Sequence, residues 1–381
     1  MNIPRILKLP DSQRSIFLWG PRKTGKSFWI KSQVNNSWTI NLLESDTFLE
    51  FAARPALLRE RYAKLEARPE WVVIDEVQKL PLLLDEVHWL IENAEARFLL
   101  TGSSARKLRR GQANLLGGRA WRREMRPFCL AELASHPWDL ESLCRSGLIP
   151  PHYLADEPHE DLAAYVGDYL KEEIAAEASA QSLPVFAEFL RVAALTNGEI
   201  MNFTNLSREV GTSARVVRSY FEILEDTLLG ERLPAYRKGV TRRLLQTDKF
   251  YLFDVGLANF LCRRKPSQGT PEFGKSFEHI VWMEIQAWKA YRQRDLELSY
   301  WRTTSGFEVD FIFNDREVAI EVKSGRVHET DLKGLTALAD DGPVAERMVV
   351  SLDGHPRSLQ DRHGMVSVLP LRAFVQWLWN R

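Results

Sequence analysis

Short runs of consecutive apolar residues, each closed by glycine or polar residues, mark the first third of the chain: Ile16–Trp19, Trp71–Ile74 and Phe98–Leu100. Runs with no polar interruption fit strands buried on both faces, as in a parallel sheet. From Trp138 to Gly230 the rhythm becomes helical, punctuated by Pro137, Pro150, Pro151 and Pro158. "DLAAYVGDYLKEEIAAEASA" (161–180) has the 3.6-residue period of a helix. Phe203 to Tyr236 reads as helix, turn at Gly211 and second helix. Leu206 and Val210 face inward from the first, Val216, Val217, Tyr220, Phe221 and Leu224 from the second, and "LLGERLPAY" follows as a candidate wing. A further α/β pattern begins near "KFYLFDVGLANFLC". It continues with an apolar helix over Phe273–Tyr291 and a hairpin made by "LSYWRTTSGFEVDFIF" and "EVAIEVKSG".

At 381 residues the chain is too long for one ordinary domain. The pattern predicts an α/β protein in three parts: a parallel-sheet core over 1–136, a helical region over 137–245 and a second α/β domain over 246–381. Lysine plus arginine and aspartate plus glutamate balance at 51 each, so a basic surface for nucleic acid must be local. Three cysteines, far apart and without metal spacing, fit a reducing compartment. "MNIPRILKLPDSQ" lacks a secretory apolar core, and no 18-residue apolar run is present. The expectation is a cytoplasmic protein with no membrane partner.

The strand Ile16–Trp19 leads into Gly20-Pro21-Arg22-Lys23-Thr24-Gly25-Lys26-Ser27, the P-loop spacing. Its glycines let the backbone curl so that N–H groups face phosphate oxygens. Lys26 reaches the β- and γ-phosphates, and Ser27 offers a hydroxyl to Mg²⁺. The following helix points its positive end at the anion. About 50 residues on, "WVVIDEVQKLP" ends a buried strand in Asp75 and Glu76. Asp75 is placed to hold Mg²⁺ and Glu76 to orient an attacking water. No Asn-Lys-x-Asp guanine-reading motif occurs, which disfavours a GTPase, and ATP with Mg²⁺ is the cofactor expectation.

"RFLLTGSSARKL" resembles the strand of AAA+ ATPases that lies beside the P-loop strand and ends in a polar residue touching the γ-phosphate or the water. Ser103 matches that residue best, with Thr101 and Ser104 as rivals. In the same family an arginine near the position of Arg119 approaches the phosphates as a sensor or finger. Arg122, Arg123 and Arg126 compete for the role. A homo-oligomer, with a neighbour supplying that arginine, and Arg119 acting within its own chain both stay open.

The Phe203–Tyr236 segment resembles a winged helix-turn-helix. Thr212, Ser213, Arg215 and Arg218 would suit phosphate or base contacts. Glu222, Glu225 and Asp226 continue the same helix with the opposite sign. A DNA-binding role and a plain helical lid stand level.

In the hairpin, Glu321 and Lys323 share one face of their strand. A turn centred between Asp315 and Arg316 sets Asp310 across from Glu321, Cβ atoms about 5 Å apart. Facing carboxylates repel, and a divalent cation converts that repulsion into a ligand pair. Glu278 approaches from the preceding helix. An internal Asp310–Lys323 salt bridge is the plainer alternative. This set resembles the PD-(D/E)XK, or restriction-endonuclease-like, superfamily, whose matching residues bind Mg²⁺ and activate water against phosphodiesters. Val309 stands where some of those proteins have proline.

"WVVIDEVQKLP", "LLTGSS", "GGR", "YLFDVGLANFL", "EVDFIF" and "IEVKSG" together resemble, over nearly the whole chain, the prokaryotic ATPases with an N-terminal AAA+ core and a C-terminal restriction-endonuclease-like domain of unassigned function. The resemblance implies ATP hydrolysis, a second Mg²⁺ or Mn²⁺ at Glu278, Asp310, Glu321 and Lys323, and DNA as a partner. It leaves open whether that domain cleaves DNA or is a DNA- or protein-binding scaffold.

Overall fold

The computed structural model describes residues 3–104, 116–170, 183–238 and 244–381. The chain divides into two compact units, Asn2–Pro127 with Asp226–Leu229, and Phe128–Glu225 with Gly230–Arg381.

The first unit is built on five strands: β1 (Ser15–Trp19), β2 (Ser37–Asn41), β3 (Trp71–Asp75), β4 (Phe98–Gly102) and β5 (Ala120–Glu124). All run parallel in the order β2-β3-β4-β1-β5. The apolar runs supply the inner strands β1, β3 and β4, which are buried along almost their whole length. Phe17, Trp19, Val72, Ile74, Phe98 and Leu100 share a core with Phe51, Tyr62, Val87 and Leu90 from the covering helices. Each fully buried aliphatic side chain there contributes about 1.5–3 kcal/mol. With β4 between β3 and β1, their three carboxyl ends converge, and the polar residues that end the apolar runs meet there.

The second unit begins with helices. Leu140–Ser146, Pro150–Tyr153 and Pro158–Ala164 are followed by a π-helical stretch, Tyr165–Leu170. The remainder of the helix expected over 161–180 lies outside the described residues. After Leu183–Leu195 come Phe203–Val210, a turn at Gly211 and Ala214–Asp226, as the apolar spacing predicts. Leu206, Val210, Val217, Tyr220, Phe221 and Leu224 are buried, and Val216 is half-buried. Strands β6 (Gly230–Leu233) and β7 (Lys249–Leu252) then pair antiparallel.

The rest of this unit is a six-stranded mixed sheet: β8 (Leu298–Arg302), β9 (Glu308–Phe313), β10 (Val318–Lys323), β11 (Glu346–Ser351), β12 (Arg357–Asp361) and β13 (Gly364–Pro370). The order is β12-β13-β11-β10-β9-β8. Val309, Ile312, Ala319, Val349 and Val368 pack with Leu335 and Leu338 of the Lys333–Asp340 helix. The long helix Pro271–Tyr291, capped by the Thr270 side chain, contacts β10.

Two buried carboxylates tie the start of this unit to its later elements. Asp254 accepts from Leu148 N at 2.7 Å and from Leu257 N at 2.9 Å. Glu284 accepts from Leu130 N and from the Trp379 indole, each at 2.6 Å, and from Ala131 N at 3.2 Å. Burial pushes both up, Asp254 to about 6 and Glu284 to about 7, against the opposing effect of their hydrogen bonds.

Candidate functional sites

In the first unit, the loop between β1 and the Lys26–Gln33 helix has the shape its glycines permit. Gly25 sits at φ 92°, a left-handed conformation that L side chains avoid. Thr24 Oγ1 donates to Pro21 O at 2.8 Å and braces the loop. Arg5 donates to Thr24 O at 3.0 Å from the chain's first segment. Lys26 is buried, and its ammonium donates to Gly20 O at 2.7 Å and Pro21 O at 3.0 Å, on the loop's own carbonyls. Arg22 is half-buried and Lys23 exposed.

Ser27 Oγ lies 3.2 Å from Asp75 Oδ2. Thr101 donates to the other oxygen of Asp75 and accepts from Glu76 N at 3.2 Å. Glu76 is buried at φ 59°, a strained conformation for a residue with a side chain; such strain concentrates at functional sites. Its carboxylate accepts from Gln78 and, at 3.4 Å, from Ser103 Oγ. Gln78 also lies 3.1 Å from Ser103 Oγ. Of the three rivals at the end of β4, Thr101 therefore orders the Asp75 side and Ser103 the Glu76 side. Ser104 donates to Asp226 O instead. Gln78 was not among the expected residues, and nothing in its local sequence sets it apart.

Arg119 departs from expectation. It precedes β5, whose Ala120 lies beside Ser15 at the start of β1. The P-loop follows the other end of β1, roughly 15 Å along the strands. The guanidinium pairs with Glu92. Arg119 is thus not placed to touch phosphates held by its own P-loop, because the parallel register carries it to the opposite end of the strands.

In the second unit, the hairpin has the expected register. Val318 pairs with Phe313, Ala319 with Ile312 and Ile320 with Phe311, so the next positions outward are Asp310 and Glu321. There the backbone ladder gives way to a side chain, and Val322 N donates to Asp310 Oδ2 at 2.7 Å. Asp310 and Glu321 are 9% and 7% exposed, too little for water to neutralise two carboxylates. Burial, then Glu278, push the Asp310 carboxyl well above its usual range, with Lys249 opposing. Burial also raises Glu321, against Lys323, whose ammonium lies 2.7 Å from Glu321 Oε1. The simple alternative pair fails in detail, since Lys323 binds Glu321 rather than Asp310. Glu321 Oε2 is buried without a hydrogen-bond partner among the described residues.

Glu278 joins from the Pro271–Tyr291 helix, accepting from the Tyr251 hydroxyl and lying 3.3 Å from Lys249 Nζ. Lys249 was missed by the sequence reading. It lies 29 residues before Glu278, in a run that reads only as the start of a strand. As the groups stand, no three His, Cys, Asp or Glu side chains among the described residues are arranged to hold a metal ion.

On the outer side of the Ala214–Asp226 helix, Arg215 and Arg218 are exposed, and Arg218 stacks over the Phe203 ring at 4.9 Å. Ser213 is exposed and Thr212 half-buried. Among the described residues no helix is long and apolar enough to cross a membrane.

Comparison with known proteins assigns three stretches. Residues 12–134 match the AAA domain family, 138–268 a domain of unknown function (DUF8612) and 273–374 another (DUF4143). An uncharacterised protein of Haemophilus influenzae is 22% identical over 365 residues, covering 86% of this chain and 88% of that protein. A solved structure of the Aeropyrum pernix ORC1 protein in complex with DNA is similar at 13% identity over 66% of this chain and 86% of that one. Its TM-score of 0.27 is too low to carry any argument. Residues 12–134 are therefore an ATP-binding domain of the AAA class within a mixed α/β chain that ends in a second sheet domain.

Proposed function

We propose that this chain is a Mg²⁺-dependent ATPase of the AAA+ type whose C-terminal part is a restriction-endonuclease-like domain that engages DNA. In this reading 1–136 is the ATPase core, 137–245 a helical region with a winged helix, and 246–381 the nuclease-like domain. The carrying observation is the Ser27–Asp75 pair beneath the P-loop, with Glu76 beside it.

These residues fit ATP and Mg²⁺. Ser27 and Asp75 would hold Mg²⁺, which when bound draws charge from the phosphate oxygens. The backbone from Gly20 through Pro21, Arg22, Lys23, Thr24 and Gly25 would cradle the phosphates. Lys26 would exchange the carbonyls of Gly20 and Pro21 for phosphate oxygens. Glu76, held by Gln78 and Ser103, would orient the attacking water and accept its proton, and Ser103 would report the γ-phosphate. Lys26→Ala should abolish ATP turnover by the purified chain; turnover at the wild-type rate would refute the assignment.

For the second unit the nuclease reading assigns Glu278, Asp310 and Glu321 to a divalent metal and Lys323 to developing negative charge. It expects plasmid nicking that Asp310→Ala removes while ATP turnover continues. The pairing of Lys249 with Glu278 favours a second reading. Here the same domain is a DNA- or protein-binding scaffold switched by ATP, and no cleavage occurs with any metal.

A further inference from the structure

A cleft of about 1010 Å³ opens in the second unit, wholly within the stretch 138–268. Residues of the helices Leu140–Ser146, Pro158–Ala164 and Val255–Leu261 wall it. Leu162, Val166 and Leu261 give it an apolar lining. The half-buried Phe260 ring meets the exposed His159 ring edge-on there, with centroids 5.0 Å apart. Arg145, Arg263, Arg264 and Lys265 also line the cleft. Arg145 reaches the Ser142 hydroxyl at 3.3 Å, and Arg264 donates to Leu195 O at 2.8 Å. Among the described residues no carboxylate lines the cleft or pairs with any of these four cations.

Helix ends account for only part of this charge. Arg145 stands in the last turn of one helix, and Arg263, Arg264 and Lys265 follow the end of another. Two helix C-termini carry about one unit of negative charge between them. The four cations exceed that by about three units. Arg263 also takes φ 53°, the left-handed conformation that glycine usually supplies after a helix, so its side chain is kept at a backbone cost.

We propose that this cleft binds single-stranded DNA, deepening the reading that the chain engages DNA, on which it rests. The cations take phosphates, and the apolar wall with Phe260 takes the faces of unpaired bases. A closed duplex would satisfy the cations but hides its base faces and would leave the lining against water. An unpaired strand offers both, and basic grooves with interleaved rings bind such strands. Three of the four cations are arginines, whose planar guanidinium stacks on bases as well as binding phosphate. An acidic peptide would meet the same charges without using the rings.

The test uses the full-length chain without nucleotide and with a chelator, so that no strand is cut. Fluorescence anisotropy follows a labelled single strand of about 20 nucleotides, longer than the roughly 4–16 nucleotides that one single-strand-binding fold covers. Arg263→Gln combined with Lys265→Gln should weaken binding at least about tenfold and reduce the slope of log affinity against log salt by about 1.4. Phe260→Ala should weaken binding at least about fivefold and leave that slope unchanged. Both variants should keep their affinity for a duplex of the same sequence. Equal losses on single strand and duplex would make the cleft a general basic surface and overturn the proposal. Competition by polyglutamate as strong as by unlabelled single strand, or single-strand binding that neither variant changes, also overturns it. Duplex binding without single-strand binding refutes the cleft alone, whereas absence of both removes the DNA reading as well. If Phe260→Ala fails to fold, the exposed Arg263 and Lys265 substitutions decide the outcome by themselves.

Discussion

Ser27 Oγ and Asp75 Oδ2 lie 3.2 Å apart across 48 residues of sequence. The contact exists because β1 and β3 finish at the same edge of one parallel sheet, with β4 between them. Thr101 holds the second oxygen of Asp75 and leaves the first facing Ser27.

Asp75→Asn removes the charge and keeps the shape. Nucleotide affinity should then lose its dependence on Mg²⁺, and turnover should fall about 10²-fold or more. Fluorescent-nucleotide titrations with Mg²⁺ and with chelator read the first effect. Affinity that still rises with Mg²⁺ in the variant would place the metal elsewhere.

Glu76→Gln separates binding from chemistry. The amide keeps the size of the side chain but cannot accept a proton from water. Turnover should fall by about 10²–10⁴-fold while ATP affinity stays near wild type. Comparable losses in both would mean that Glu76 serves the loop's structure rather than the reaction.

Glu284 sets a pH dependence. Its ordinary value of 4.5 is raised to about 7 in the fold. The folded state therefore keeps a proton that the unfolded state has released. The resulting stabilisation is complete below the ordinary value and is lost as pH rises through about 7. The slope is about 1.4 kcal/mol per pH unit within that window. Thermal melts of Glu284→Gln should show a shallower decline between pH 5 and pH 7. Asp254 adds a smaller decline of the same sign, ending near 6, and that part should remain. An unchanged slope in Glu284→Gln would mean that this carboxyl does not titrate in the window.

The legible parts of the chain were those where one short segment carries both the pattern and its chemistry. Uninterrupted apolar runs mark β1, β3 and β4, and the candidate site residues close them. The hairpin register followed from alternation and the turn position, since a slip by one residue would have turned the apolar face to water. Arg119 was misplaced because proximity in sequence to the last strand does not tell which end of the sheet a residue occupies. Lys249 and Gln78 were invisible for a related reason. Each matters through a partner brought by another element, and a lone lysine or glutamine carries no periodic signal. The buried carboxylates of Asp254 and Glu284 likewise acquire meaning only from the backbone and indole N–H groups that the fold delivers to them.

Lys249 also bears on where this protein can be divided. It lies within the stretch 138–268, whereas its carboxylate partners lie within 273–374. A fragment beginning at the latter boundary would keep Arg302 and Lys323 on Glu308 and Glu321 but lose the ammonium paired with Glu278. In this chain the stretches 138–268 and 273–374 therefore share one electrostatic unit.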